Sequence, residues 1–271
     1  MKGSSRGAAD TVTKAFDALL DGDVDTSVLA EDLFTLTATI DDNVTLRRVL
    51  ADPSRDGELK RALAQRLFTG RVCRGAVSLV AEAAAQRWAD ERDLSDTLES
   101  LAVQSLLARA ENAGYIDQVE DELFRFERIV AGDTRLRDVL GNRNPDAAGK
   151  AGIVRGLLEG KAHSETIRLA EQAVSWPRGR RLDRVLAAYL ALAAQRRDEL
   201  AALVTVAAPL TGQQAARLRT ALESIYGKSV TLQTVIEPDV LGGIRVQVGD
   251  EVVDGTISRR LDEARRHVLG S

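Results

Sequence analysis

At 271 residues with 44% hydrophobic but only 4% aromatic side chains, the chain has ample material for buried cores, and about two domains are expected. A formal net charge of −4, from 37 Lys and Arg against 41 Asp and Glu, argues against a general nucleic-acid binder, which carries a basic excess. The single cysteine, Cys73, excludes an intramolecular disulfide and a thiolate metal site, and fits a reducing compartment.

Met1 to Ala9 carry Lys2 and Arg6 with no apolar stretch behind them, so no signal peptide is expected. The longest apolar run, Val185 to Ala194, spans ten residues, against roughly 20 for a bilayer crossing. The Ala- and Leu-rich, aromatic-poor composition predicts a mainly α chain.

In chain order, apolar spacing and stop signals predict helices over Thr11–Leu20, Ser27–Asp41, Leu46–Leu50 and Gly57–Phe68, the last closing at Gly70 in the usual left-handed cap position. A helix through Val77 and Val80 to Trp88 follows, then a long one from Leu94 to Gly114. Five more are predicted: Ile116–Ala131, Leu136–Leu140, Lys150–Leu158, His163–Val174 and Leu182–Leu200.

Two stretches recur at an offset of 90: Glu31-Asp32-Leu33-Phe34 as Asp121-Glu122-Leu123-Phe124, and Leu46-Arg47-Arg48-Val49-Leu50 as Leu136-Arg137-Asp138-Val139-Leu140. Leu63, Leu67, Gly70 and Leu79 fall likewise on Ile153, Leu157, Gly160 and Leu169. The chain therefore reads as two tandem six-helix, bundle-like units, residues 1–100 and 101–200, with the helix from Leu94 able to serve both.

From 201 to 271 the period changes to a small α+β domain of β-α-β-β-α order. Val204 and Val206 start it, and Thr211 with Gln214 forms a capping box for a helix to Gly227. Val230 to Ile236 alternate as a strand, and Ile244, Val246 and Val248 alternate before a Gly249-Asp250 turn and a return through Val252 and Val253. A last helix presents Ile257 and Leu261 inward and arginines at 259, 260, 265 and 266 outward.

Catalytic motifs fail on inspection. Gly227-Lys228-Ser229 lacks the first glycine of a phosphate loop, Leu222 standing in its place, and leads into a strand. His163 and His267 are isolated at helix ends, where solvation is the ordinary fate. Asp250, Glu251 and Asp254 suit turn-forming and capping better than acid-base work. Trp176-Pro177-Arg178-Gly179-Arg180-Arg181 is read as an inter-helix loop with solvated arginines, a nucleic-acid contact being the competing reading. No catalytic residue, cofactor or metal is expected.

The stretch from Pro238 to Leu261 resembles the C-terminal signature of the delta subunit of F-type ATP synthases, the family of the oligomycin-sensitivity-conferring protein. The resemblance is carried by Leu241, Gly242, Gly243, Gly249, Asp250, Asp254, Gly255, Arg260 and Leu261, and extends back over Leu203–Val235. It implies a non-catalytic stator subunit, one copy per complex, peripheral on the cytoplasmic face of the cell membrane. The implied partners are the N-termini of alpha subunits for the helical part and b-type stalk subunits for the C-terminal part, with no nucleic acid and no membrane insertion. Ordinary members have one helical unit, so which copy holds an alpha segment stays open here. The absence of an anchor segment favours the separate subunit over forms fused to a b segment.

The expected partner contacts are Phe16, Leu19, Val77 and Val80 in the first unit and Leu106, Leu107, Ile167 and Ala170 in the second, on the first and fifth helices of each; core packing explains the same residues equally well. A helical adaptor of another complex and an RNA-binding protein are the alternatives.

Overall fold

A computed structural model of the chain describes residues 3–142, 146–198, 200–226, 230–237, 243–248 and 251–254. Among these, twelve helices and one four-stranded sheet form. Contacts group the chain into two compact units, Met1–Phe16 with Val24–Arg197, and Asp17–Asp23 with Asp198–Ser271.

The helical unit runs α1 (Gly3–Leu20), α2 (Thr26–Asp42), α3 (Val44–Ala51), α4 (Gly57–Phe68), α5 (Arg74–Ala85), α6 (Glu91–Asn112), α7 (Ile116–Gly132), α8 (Thr134–Gly141), α9 (Ala147–Leu158), α10 (Ser164–Ser175) and α11 (Leu182–Asp198). The first helix starts at Gly3 rather than Thr11, because Ser5 and Ala8 continue the buried stripe of Val12 and Phe16. Trp88 stands beyond α5, which ends at Ala85; its indole Nε1 donates to the Ala83 carbonyl at 2.8 Å. Leu200 opens a strand instead of closing α11.

The repeat is structural as well as sequential. Helices α2 to α5 begin and end 90 residues before α7 to α10. Buried Leu33, Leu36, Ile40, Leu50 and Phe68 have their images in buried Leu123, Phe126, Val130, Leu140 and Leu158. Caps repeat too, with Asn43 and Asp133 accepting from the first turns of α3 and α8, and Asp56 and Asp146 from those of α4 and α9. Gly70 and Gly160 follow α4 and α9 with φ of 78° and 71°, a left-handed conformation that a Cβ disfavours. Helix α6 closes the first half and opens the second: Ser95, Leu98, Ala102 and Leu106 are the images of Ser5, Ala8, Val12 and Phe16, and all eight are buried.

A buried ion network ties this shared helix to its neighbours. The Arg178 guanidinium, 5% exposed, donates to Glu99 Oε2 at 2.8 Å and Ser95 Oγ at 2.6 Å on α6, and pairs with Asp96 and with Asp41 at the end of α2. The other Glu99 oxygen accepts from Arg180 and from Tyr189 Oη of α11 at 3.0 Å. Arg178 reaches these groups from a turn closed by Arg180 N–H to the Pro177 carbonyl at 3.0 Å, with φ of 57° at Arg178 and 76° at Gly179. A left-handed non-glycine residue costs roughly 1–2 kcal/mol, which the charge-assisted bonds offset. The reading of this loop's arginines as solvated is thus corrected for Arg178, while Arg181 is exposed.

In the second unit, strands β1 (Leu200–Val206), β2 (Val230–Ile236), β3 (Ile244–Val248) and β4 (Glu251–Asp254) order as β2-β1-β3-β4. Strand β1 pairs parallel to β2 and antiparallel to β3, with Val204 opposite Val246. The crossover helix α12 (Gly212–Tyr226) supplies Leu222 to a core of Ala202, Val204, Val206, Val230, Leu232, Val246 and Val248. Its capping box forms as expected, Thr211 N–H donating to Gln214 Oε1 at 2.9 Å and Gln214 N–H to Thr211 Oγ1 at 3.3 Å. The last helix expected from Ile257 lies outside the described residues.

Arg178→Leu is expected to destabilise the helical unit by about 3–5 kcal/mol, since it removes the buried counter-charge of Asp41 and leaves Glu99 Oε2 without its arginine partner, Arg180 remaining on Oε1. Urea unfolding of the full chain followed by far-UV circular dichroism checks this; unchanged stability would mean the network is not a structural tie.

Candidate partner-binding surface

The eight expected contact residues divide by burial. Phe16, Val80, Leu106, Leu107 and Ala170 are core side chains. They pack within this chain because the stripe that makes a helix a good partner groove also makes it a good interior. Leu19, Val77 and Ile167 stay half-buried. Val77 and Ile167 stand 90 residues apart, at the same position on α5 and α10. Their N–H groups donate to the carbonyls of Cys73 and His163, each 3.1 Å away, so both sit in the first turn of their helix.

The orientation of these two helices is fixed by the repeated acidic-Leu-Phe stretch. Asp32 Oδ2 on α2 accepts the Cys73 N–H at 2.6 Å, and Glu122 Oε2 on α7 accepts the His163 N–H at 2.9 Å. Each carboxylate satisfies a donor at a helix start, where the positive end of the helix dipole favours it. His163 is not simply solvated. Its ring stacks on Tyr115 with centroids 4.4 Å apart, and Nδ1 lies 2.8 Å from Glu122 Oε1. Burial alone would raise the Glu122 carboxyl, but hydrogen bonds from the Thr166 hydroxyl and from His163 outweigh it and hold the carboxyl below its ordinary range.

Electrostatics disfavour nucleic acid on the Trp176–Arg181 loop, where Arg178 and Arg180 are already paired with carboxylates. Desolvation pushes the Asp96 carboxyl up despite its arginine neighbours, and pushes the Tyr189 phenol well up. Glu99, the acceptor at the centre, escaped the sequence reading. Its signal was an acidic residue flanked by Leu98 and Leu101 on an apolar helix.

The second half is the more open. Phe124, Ile129, Val139, Ile153 and Leu157 are exposed. A crevice of about 380 Å³ between α7, α8 and α11 is lined by Glu127, Val130, Arg137, Arg181, Leu182 and Leu186, among others. At the image of this crevice in the first half, Thr37, Ile40, Arg47 and Ala51 are buried, with α2 packed along α6 and Arg47 paired to Glu91, where the second half has Arg181.

In the second unit, exposed Val235 and Ile236 lie on edge strand β2 and exposed Val252 on edge strand β4. Of the signature residues, Gly243 has φ of 93°, and Asp254 stands opposite Arg245 in the backbone register of β4 on β3. Leu241, Gly242, Gly249, Asp250, Gly255, Arg260 and Leu261 lie outside the described residues, as does His267. Among the described residues no His, Cys, Asp and Glu group could hold a metal ion, and no helix is long and apolar enough to cross a membrane.

A family model described as the ATP synthase delta (OSCP) subunit matches residues 103–268. Proteins named ATP synthase subunit delta align along the whole length. One from Streptomyces coelicolor is 46% identical, covering 99% of this chain and 98% of its own. Another from Streptomyces griseus is 45% identical with 100% of both chains covered, and one from Kineococcus radiotolerans is 45% identical over 91% and 89%.

A carboxylate with a depressed folded-state pKa contributes stability that is present above its unfolded value and lost as pH falls through the folded one. The chain is therefore expected to lose stability relative to Glu122→Gln as pH drops below the ordinary glutamate value of 4.5. Melting curves of both proteins between about pH 6 and pH 3 test it; parallel curves would contradict the assigned role.

Proposed function

This chain belongs to the ATP synthase delta (OSCP) subunit family and is a peripheral-stalk subunit of the F-type ATP synthase, and from that premise we propose how it is held there. The helical unit grips N-terminal segments of alpha subunits on the catalytic head, and the C-terminal module grips the ends of the b-type stalk. The chain transforms no substrate. It sits in one copy on the cytoplasmic face, attached to the membrane only through the complex, and keeps the head from turning with the rotor.

The observation that carries the head contact is the correspondence of Val77 with Ile167, half-buried apolar residues at one position of helices whose starts are pinned by Asp32 and Glu122. An amphipathic helix laid against such a site gains affinity from a few apolar anchors. We read residues 1–100 and 101–200 as a tandem duplication, with 201–271 as the stalk-binding domain. The family match starting at residue 103 supports taking the second half, continuous with the C-terminal module, as the counterpart of a single helical domain. The edge strands, with exposed Val235, Ile236 and Val252, supply the apolar surface for the stalk contact.

Titrating the full chain with a synthetic alpha N-terminal peptide tests the head contact. Val77→Asp and Ile167→Asp are each expected to weaken binding at that half by about tenfold or more, as loss of an apolar anchor does. Binding unchanged in the double variant, with the melting temperature kept, would contradict the assignment. Mild-detergent purification through a tag on this chain is expected to recover alpha and b-type subunits together.

A further inference from the structure

The repeated stretch Glu31–Phe34 and Asp121–Phe124 is used on both helices for its second residue, but only on α2 for its first and fourth. On α2, Glu31 binds the Arg168 guanidinium of α10 through both carboxylate oxygens, one at 2.9 Å from Nη2. The same guanidinium lies 4.7 Å from the centre of the Phe34 ring. Phe34 is 5% exposed under this cover, and Gln172 Oε1 steadies the arginine at 3.0 Å. A carboxylate and an aromatic face thus hold one arginine between them.

On α7, Asp121 and Phe124 occupy the same helical positions, and among the described residues no arginine of another helix is held between them. Phe124 is 51% exposed, and among the described residues Asp121 pairs with Arg125 of its own helix. An exposed pair of that kind contributes only a few tenths of a kcal/mol, so it yields readily to a better partner. The arrangement is directional among the described residues: Arg168 of the second half covers Glu31 and Phe34 of the first, while Phe124 of the second stays exposed. Ser78, the image of Arg168 on α5, has no guanidinium to offer in return. Exposed Asp117, one turn before Asp121, adds a second carboxylate to the uncovered side.

We propose that this face of α7 docks an amphipathic helix of another subunit of the complex, one that presents an arginine to Asp121 and the Phe124 ring as Arg168 does to Glu31 and Phe34. The inference rests on the peripheral-stalk reading and adds a contact separate from the Val77 and Ile167 positions. Charge complementarity and the internal precedent define the occupant: arginine for its planar fork and its stacking on aromatic rings, with apolar neighbours for the remaining ring surface.

The test uses the full chain rebound to ATP synthase depleted of this subunit. Because both side chains are exposed, their variants are expected to melt with the unsubstituted chain. Asp121→Asn combined with Phe124→Leu is expected to weaken rebinding about tenfold or more, and Phe124→Trp alone to retain it, since indole keeps the cation–π face. A photoreactive benzoyl-phenylalanine placed at 124 in the rebound complex is expected to cross-link to an arginine-bearing helix of another subunit. Rebinding of the double variant at full affinity, or cross-links confined to this chain, overturns the inference and leaves the stalk reading standing. Failure of the unsubstituted chain to rebind overturns both.

Discussion

Glu99 is a carboxylate that cannot reach water. It sits on the helix shared by both halves, and its two oxygens are taken by Arg178, Arg180 and Tyr189. Burying such charges carries a desolvation penalty of several kcal/mol per ion, so the arrangement holds only when every partner is in place. That requirement fixes the end of α2, the body of α11 at Tyr189 and the left-handed turn at Arg178 relative to α6 in one geometry. Apolar packing alone tolerates sliding between helices; a guanidinium shared among Asp41, Ser95, Asp96 and Glu99 does not. For a subunit whose work is to resist torque, that stiffness is the useful property.

Around this tie the helical unit is two castings of one template with different finishing. Caps, core positions and the acid at each start of α5 and α10 repeat at 90 residues. The differences collect where one half meets the other. Arg47 closes the α2–α3 corner against Glu91, whereas its image Arg137 lines an open crevice. Phe34 lies under Arg168, whereas Phe124 faces solvent. Positions covered inside the chain at the first copy thus stand open at the second.

Helix positions and the repeat were legible because they rest on local chemistry: Asp and Asn caps, Gly70 and Gly160 as stops, and the recurring acidic-Leu-Phe stretch. The capping box at Thr211 and the alternation of Ile244 to Val248 placed the crossover helix and hairpin for the same reason. What escaped depends on partners far along the chain. Arg178 reaches Asp41 across 137 residues, and nothing beside Arg178 in sequence distinguishes it from solvated Arg181. The expected contacts Phe16, Val80, Leu106, Leu107 and Ala170 are buried because an apolar helix face does not state whether its cover is the same chain or another. His163 found Tyr115 and Glu122 only after α7 and α10 were brought together.

Coupling tests the account most directly. ATP hydrolysis and ATP-driven proton pumping would be measured side by side in membrane vesicles depleted of this subunit, before and after adding back the full chain. The account predicts hydrolysis without pumping in the depleted vesicles and recovery of pumping when the chain is restored. Full pumping in vesicles that lack the chain would contradict it.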